Sequence, residues 1–147
     1  MMPKCIQSIK KEHKAYEADH QKALIAWANA NAKEYPDLAY LNGSLNGIRK
    51  NAIRGAIAKA QGMKAGFPDL NLPAAVAPFH GLYIELKREG GKPSTEQLRW
   101  GKYLEDQGYI WACIVGAIDS AKFICNYLKI KKDIISNFDW RHYGIES

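Results

Sequence analysis

The stretch Gly81-Leu82-Tyr83-Ile84-Glu85-Leu86-Lys87 alternates regularly between two sets of side chains. Successive side chains of a β-strand point to opposite faces of the sheet. The pattern therefore predicts a strand with its three aliphatic side chains on one face and with Glu85 and Lys87 beside each other on the opposite face. A carboxylate and an ammonium group would then lie together near one end of this strand.

A second, shorter strand is predicted upstream, over residues 69–72, and it is entered through Gly66-Phe67-Pro68. The connecting residues 73–80 contain Pro73 and Pro78, which is typical of a loop. Antiparallel pairing of the two strands places Asp69 opposite Ile84 or Glu85. A slip of one residue would move Asp69 to the other face of the sheet, so the sequence leaves the register open.

Asp69, Glu85 and Lys87 together form a candidate site for phosphodiester hydrolysis. Mg²⁺ is commonly held by one or two carboxylates plus substrate phosphate, and a bound metal ion lowers the pKa of its water. A protonated lysine can position the water or stabilise charge, whereas a general base would need a lowered pKa. The alternative is an ordinary edge strand with a solvated Glu-x-Lys face, and the Gly-x-Pro-Asp segment at hairpin distance argues against it.

The composition indicates a soluble globular protein of one domain. The chain has 147 residues, of which 47% are hydrophobic and 24% charged. No apolar run approaches the roughly 20 residues that span a bilayer. The cysteines at positions 5, 113 and 125 lack metal-ligand spacing, so we expect reduced thiols in a cytosol-like compartment, with Cys113 and Cys125 in the core. No zinc motif, Walker loop or Ser-His-Asp arrangement is recognisable.

The net charge of +6 favours a polyanionic partner, because lysine and arginine side chains that contact phosphates release counterions. A generally basic protein without such a partner is the alternative. The basic residues cluster on both sides of the candidate site in the sequence, however. The residues expected to contact nucleic acid are Arg49, Lys50, Arg54, Lys64, Arg88 and Lys92.

The rest of the chain predicts helices that alternate with short strands. Helices are expected over residues 14–32, 48–61, 94–107 and 119–129, and strands over residues 38–41 and 110–115. The run 110–115 is almost continuously apolar, which is typical of a buried strand. The basic and aromatic tail after residue 130 either stacks on unpaired bases or packs on its own domain or a partner chain.

Two polar residues on these helices have two interpretations each. Glu17 shares a stripe with Gln21 and apolar residues, so it either lies in water at the margin of the stripe or carries its carboxylate to the metal. Gln97 follows Ser94 by three residues, which fits a capping box. It also shares a stripe with Trp100 and Leu104, which would let it reach the site.

The motifs, in their order along the chain, resemble those of the PD-(D/E)XK nuclease superfamily and, within it, the VRR-NUC (virus-type replication-repair nuclease) family. The resemblance covers roughly residues 17–128 and is carried by the segments EADHQ (17–21), NG (42–43), KAGFPDL (64–70), HGLYIELK (80–87), GKPSTEQ (91–97) and GY (108–109). It implies a restriction-endonuclease-like α/β fold, with a small central mixed sheet flanked by helices. The expected organisation is one nuclease domain over residues 1–147, with its core at about 14–129 and a tail at 130–147.

By this resemblance, Asp69 and Glu85 would hold Mg²⁺ or Mn²⁺, helped by the backbone carbonyl of Leu86. Lys87 would orient or activate the attacking water. The family places an acidic residue on the first helix, matched by Glu17, and a glutamine on the helix after the central motif, matched by Gln97. The implied site thus has five residues, with Glu17 as a further metal ligand.

The implied activity is that of a metal-dependent DNA endonuclease. Short standalone members of the family resemble phage and bacterial enzymes that cut branched DNA, such as Holliday junctions, in replication, recombination or repair. Symmetric cutting of two strands would require a C2 homodimer, and the expected location is the cytoplasm of a bacterial host cell. The alternatives are a non-catalytic DNA-binding module on the same fold, a general duplex nickase, and a restriction-type nuclease, which the lack of a separate target-recognition domain weakens.

Overall fold

The computed structural model describes residues 17–44 and 51–146. The start of the first predicted helix at residue 14, the start of the second at residue 48, and the predicted DNA contacts Arg49 and Lys50 lie outside these residues. Among the helices that the structure describes, none is long and apolar enough to cross a membrane.

A four-stranded mixed sheet forms the centre of the described structure. Its strands are β1 (Asn42–Gly43), β2 (Leu70–Leu72), β3 (Leu82–Lys87) and β4 (Ile110–Val115), and they lie in this order across the sheet. β1 and β2 pair antiparallel, as do β2 and β3, whereas β3 and β4 are parallel. The predicted mixed α/β architecture is therefore confirmed.

Two long helices cover the aliphatic face of β3. Helix α1 spans the described residues 17–30, and α4 spans Ala117–Leu128. Leu82 and Ile84 are fully buried against the apolar side chains of these helices, among them Leu24, Trp27 and Ile124. Because the side chains of β3 alternate, its aliphatic side chains all face this core, and their burial removes apolar surface from water.

Helix α3 (Thr95–Asp106) covers the opposite face, which carries Glu85. Ser94 caps this helix with the predicted capping box. Gly101 lets α3 approach the sheet closely, because a Cβ at that position would lie 2.6 Å from the ring of Trp111. Gly66 makes a similar approach: its φ is +82°, and a Cβ would lie 2.6 Å from the backbone of Glu96. Two glycines therefore set the distance between α3 and the site.

The strand predicted over residues 38–41 is wrong, since Pro36–Tyr40 forms a 3-10 helix instead. Pro36 stands at its beginning, where the fixed φ of proline suits a helix and its missing N–H costs no hydrogen bond. The N–H of Leu38 donates to the carbonyl of Tyr35, as in a turn of such a helix. The short strand comes just afterwards, at Asn42–Gly43.

Among the strands that the structure describes, β4 pairs with β3 alone and therefore lies at an edge of the sheet. Its residues are half-buried or exposed, so the prediction of a buried strand is wrong. Cys113, predicted in the core, is exposed, whereas Cys125 on α4 is fully buried as predicted. An apolar run identifies a strand but does not tell whether it lies at the centre or at the edge of a sheet.

Helix α2 (Ala52–Ala60) has no buried residue. Ile53 and Ile57, which form its apolar side, are 73% and 51% exposed. Asn51 caps the helix through its side chain, which accepts from the N–H of Arg54. The predicted helix is thus present over its described part, but it does not contribute to the core.

The C-terminal tail packs on its own domain. It forms α5 (Asp133–Ser136) and a 3-10 helix (Trp140–Tyr143). Trp140 is buried and stacks on Trp27 of α1, with a distance of 6.4 Å between ring centroids. The indole N–H of Trp27 donates to the carbonyl of Ile134. Of the two interpretations of the tail, packing on the domain is the one that the structure supports.

Candidate active site

Asp69 lies immediately before β2 and directly beside β3. β2 pairs with β3 as far as Leu70, which lies opposite Ile84. The same antiparallel register places Asp69 opposite Glu85, which is one of the two predicted alternatives. Beyond this pair, the side chain of Asp69 continues the contact, since its Oδ2 accepts the N–H of Leu86 at 2.8 Å. Its backbone carbonyl accepts the N–H of Ser44 at 2.7 Å. Asp69 is therefore fixed by both its side chain and its backbone.

Glu85 is a buried carboxylate in the middle of the site, with 2% of its surface exposed. Burial, the charge of Asp69 and a close contact with that carboxyl group raise the pKa of Glu85 to about 8, although Lys87 lowers it. Among the described residues, Oε2 of Glu85 has no hydrogen-bond partner. Two neighbouring carboxylates in a buried position are costly when both are charged, unless a proton or a cation compensates the charge.

Lys87 projects from the same face of β3, as predicted. Its Nζ lies 3.8 Å from Oε1 of Glu85, and its side chain is 16% exposed. The ammonium group therefore lies at the edge of the carboxylate pair with limited access to water. A cation in this position stabilises the charged form of Glu85 and of any anion that approaches.

Gln97 connects the first turn of α3 to Glu85, and both interpretations of this residue hold together. Its Oε1 accepts the N–H of Ser94 at 2.8 Å and so completes the capping box. Its Nε2 donates to Oε1 of Glu85 at 2.7 Å. One amide thus closes the helix with its oxygen and orients the carboxylate with its nitrogen.

Glu17 is the first described residue of α1 and is half-buried. Its charge raises the pKa of Glu85, as the last of several causes. Within residues 17–44 and 51–146, however, no three His, Cys, Asp or Glu side chains form a group that could hold a metal ion. Ligation by Glu17, like that by Asp69 and Glu85, therefore stays a prediction.

The donor atoms present fit a divalent cation that prefers oxygen. Two carboxylates face each other, and one of them has an oxygen without a partner. The carbonyl of Leu86 lies on the same side of β3 as its N–H, which faces Asp69. Mg²⁺ retains several of its waters and is usually held by only one or two carboxylates together with substrate phosphate. A pair of carboxylates and one carbonyl is consequently sufficient.

The described basic residues lie on the segments that flank this site. Arg54 on α2, Lys64 before the Gly66 loop and Lys92 before α3 are exposed, and Arg88 directly after β3 is half-buried. Lys64 precedes Asp69 in the chain, and Arg88 and Lys92 follow Lys87, so basic residues flank the site residues on both sides in the sequence. Their contact with DNA stays a prediction.

A mixed sheet that presents two carboxylates and a lysine from adjacent strands, with a helix behind them, is the arrangement of a PD-(D/E)XK-like fold. The sequence matches the VRR-NUC domain over residues 15–117. The chain therefore belongs to the VRR-NUC family, which is a family of nucleases. A solved structure described as a VRR_NUC domain protein is 26% identical, with a TM-score of 0.65, and the alignment covers 78% of this chain and 89% of that chain. No curated protein sequence matches the chain.

Two supporting residues were not predicted as part of the site. The N–H of Ser44 donates to the backbone carbonyl of Asp69, and a backbone contact of this kind cannot be predicted from a side-chain pattern. Gln21, one turn after Glu17, places its amide over Gly43, where a Cβ would approach Nε2 to 2.6 Å. The spacing of Glu17 and Gln21 on one face of α1 was the available signal for the second residue.

Proposed function

We propose that this protein is a divalent-metal-dependent DNA endonuclease that uses Mg²⁺ and cuts branched DNA, such as Holliday junctions. The observation that carries the proposal is the buried Glu85, whose Oε2 lacks a partner while the carboxylate of Asp69 lies beside it. Such a pair is costly when both carboxylates are charged, and a bound cation would compensate that charge. The proposal also rests on the nuclease family to which the chain belongs.

Asp69 and Glu85, together with the carbonyl of Leu86, would hold the cation. When bound, a divalent cation lowers the pKa of water and stabilises charge on the phosphate. Lys87, whose Nζ lies 3.8 Å from Oε1 of Glu85, would orient the attacking water and stabilise the developing negative charge. Gln97 would keep Glu85 in its rotamer through the 2.7 Å hydrogen bond. Each residue of the chain thus positions a group or stabilises charge.

Positive charge on the flanking segments supports a nucleic-acid substrate. The net charge is +6, and Arg54, Lys64 and Lys92 are exposed near the site in the chain. Contacts of this kind bind phosphates irrespective of sequence. We infer a homodimer, because symmetric cutting of a four-way junction requires two sites related by a two-fold axis. The role would be in bacterial or phage DNA replication, recombination or repair, in the cytoplasm of the host cell.

A cleavage panel tests the proposal. Four-way junctions, flaps, gapped duplexes and linear duplexes are incubated with Mg²⁺, Mn²⁺ or EDTA, and the cut sites are mapped. We expect paired, symmetric incisions in the four-way junction that depend on the metal. Asp69→Asn and Lys87→Ala should each abolish them, while Tyr40→Phe, a change at an exposed residue outside the site, should not.

Other results would point to the alternative functions. DNA binding without cleavage on any substrate would indicate a non-catalytic module. Nicking of linear duplexes at the rate of junctions would indicate a general nickase. Cleavage that persists in both Asp69→Asn and Lys87→Ala would remove the proposed site altogether.

A further inference from the structure

A hollow of about 320 Å³ opens beside the candidate active site. It is lined by six residues: Ser44, Gly62, Met63, Lys64, Phe67 and Trp100. Its volume lies at the lower end of the range for small-molecule and cofactor sites. Three of the six side chains are large and apolar, and one is a lysine, so the hollow combines an apolar lining with positive charge.

The segments that line the hollow are the ones that also position Asp69 and Glu85. Phe67 precedes Asp69 by two residues, which span at most about 7 Å of backbone. Trp100 follows Gln97 by three residues on α3, and so it lies on the same side of the helix. Ser44, whose N–H holds the carbonyl of Asp69, completes the link. A ligand in the hollow would therefore lie within about one nucleotide of a phosphate at Asp69 and Glu85.

Two aromatic rings meet at a right angle in this lining. The centroids of Phe67 and Trp100 are 5.1 Å apart, and their planes enclose 88°. The indole N–H of Trp100 already donates to the carbonyl of Ala65 at 3.1 Å, and Phe67 also packs edge-on against Tyr83. These contacts hold the rings in place. A flat aromatic ligand can stack on one ring while it meets the edge of the other.

Ser44 contributes a hydroxyl group to the lining. Oγ of Ser44 is buried and makes no hydrogen bond among the residues that the structure describes. A buried hydroxyl without a partner is uncommon in folded proteins. It can donate or accept one hydrogen bond, and the carbonyl, amino and ring-nitrogen groups at the edge of a nucleobase offer both kinds of partner.

We propose that the hollow binds one unpaired nucleobase of the substrate strand, next to the phosphate that is cut. This inference rests on the proposed nuclease function and specifies its substrate: DNA that has an unpaired or extruded nucleotide at the cleavage site. Enzymes that act on a base take its nucleotide out of the stack, and proteins that bind unpaired strands stack the bases on aromatic side chains. Because every base has a ring face, the preference would be for an unpaired base rather than for a sequence.

The test compares DNA that carries an unpaired base with DNA that lacks only this base. A duplex with a single unpaired thymidine and the same duplex with an abasic site at that position are titrated with the Asp69→Asn protein, which prevents cleavage. Base–aromatic stacking is worth about 5- to 150-fold in affinity per base. We expect the base-containing DNA to bind more tightly by a factor in this range.

Pocket variants locate the effect. Phe67→Leu and Trp100→Leu, each in the Asp69→Asn background, keep apolar volume but remove a ring, so they should reduce the preference for the base to within about 3-fold of none. Tyr40→Leu is the matched control, because Tyr40 is an exposed aromatic residue that does not line the hollow. It should retain the preference.

Equal affinity for the two DNAs would overturn the inference by itself, even where a pocket variant fails to fold. A preference that survives in both Phe67→Leu and Trp100→Leu would place the base elsewhere and would overturn it as well. If these variants instead change self-association in sedimentation experiments and leave the preference intact, the hollow is a protein interface. Loss of the proposed nuclease function is recognised separately, by the absence of metal-dependent cleavage in the wild-type protein.

Discussion

Gln97 offers a sharp test of the site, because its two ends do different work. Its Oε1 completes the cap of α3, and its Nε2 donates to Glu85. Three variants separate these roles. Ser94→Ala removes the cap and leaves the amide, Gln97→Glu keeps an acceptor for the cap but replaces the donor with a carboxylate, and Gln97→Leu removes both functions at similar volume.

The expected magnitudes differ between the variants. Loss of an N-cap side chain costs about 1 kcal/mol, which corresponds to a fall in Tm of about 2–4 °C for a chain of this size. Gln97→Leu also loses the hydrogen bond to the Glu85 carboxyl group, which contributes about 1.5–3 kcal/mol to stability when that group is charged. In Gln97→Glu, two carboxylates would face each other at about 4 Å, which costs up to about 4 kcal/mol when both are charged. That variant should therefore be destabilised at pH 9 and much less at pH 5, where Glu85, whose pKa is about 8, carries a proton.

The assay measures Tm and the rate of Mg²⁺-dependent cleavage for all three proteins. We expect Ser94→Ala to cleave within about 3-fold of wild type. Gln97→Leu should lose about 10- to 100-fold, since about 1.4 kcal/mol of lost orientation is a factor of ten in rate. The reasoning is refuted if Ser94→Ala loses as much cleavage as Gln97→Leu. Gln97 would then act only through the helix cap.

Two further predictions concern the support of the site. Nδ1 of His20 on α1 accepts the N–H of Ala117 at 2.7 Å and so caps α4. Burial lowers the pKa of His20 below 6.5, although the charge of Asp19 opposes this. The unfolded chain then takes up the proton first, so urea midpoints should fall as the pH drops below about 6.5, and His20→Gln should flatten this slope; an unchanged slope contradicts the assignment. Gly101→Ala should lower Tm and cleavage together, because its methyl group meets the ring of Trp111. Gly55→Ala serves as the control of a glycine change, because a Cβ at Gly55 on α2 meets no atom within 4 Å.

The central hairpin could be predicted because its pattern is local. Alternation in residues 81–87 determines which side chains share a face, and Ser94 with Gln97 is a complete capping signal within four residues. Register was left open, because the sequence does not specify the pairing partner of each residue. The structure shows that the side chain of Asp69 takes the place of a backbone partner for Leu86.

The errors share a physical cause, which is that the surroundings of a segment are not encoded in its own pattern. An apolar run such as residues 110–115 can form either an edge strand or a central strand, so the exposure of Cys113 was not predictable from it. Residues 38–41 lack a clear period, and Pro36 decided their conformation. Helix α2 is amphipathic in sequence, and yet its isoleucines face solvent in the described structure.

The most direct measurement is calorimetric titration of Mn²⁺ into the wild-type protein, Asp69→Asn and Glu85→Gln, with Tyr40→Phe as the control. We predict one saturable site per chain in the wild type and in Tyr40→Phe, with release of protons, because Glu85, whose pKa is about 8, must be ionised to hold the cation. Each carboxylate variant should weaken binding at least about 10-fold. Binding of equal affinity in both carboxylate variants would contradict the assignment of Asp69 and Glu85 as the cation site.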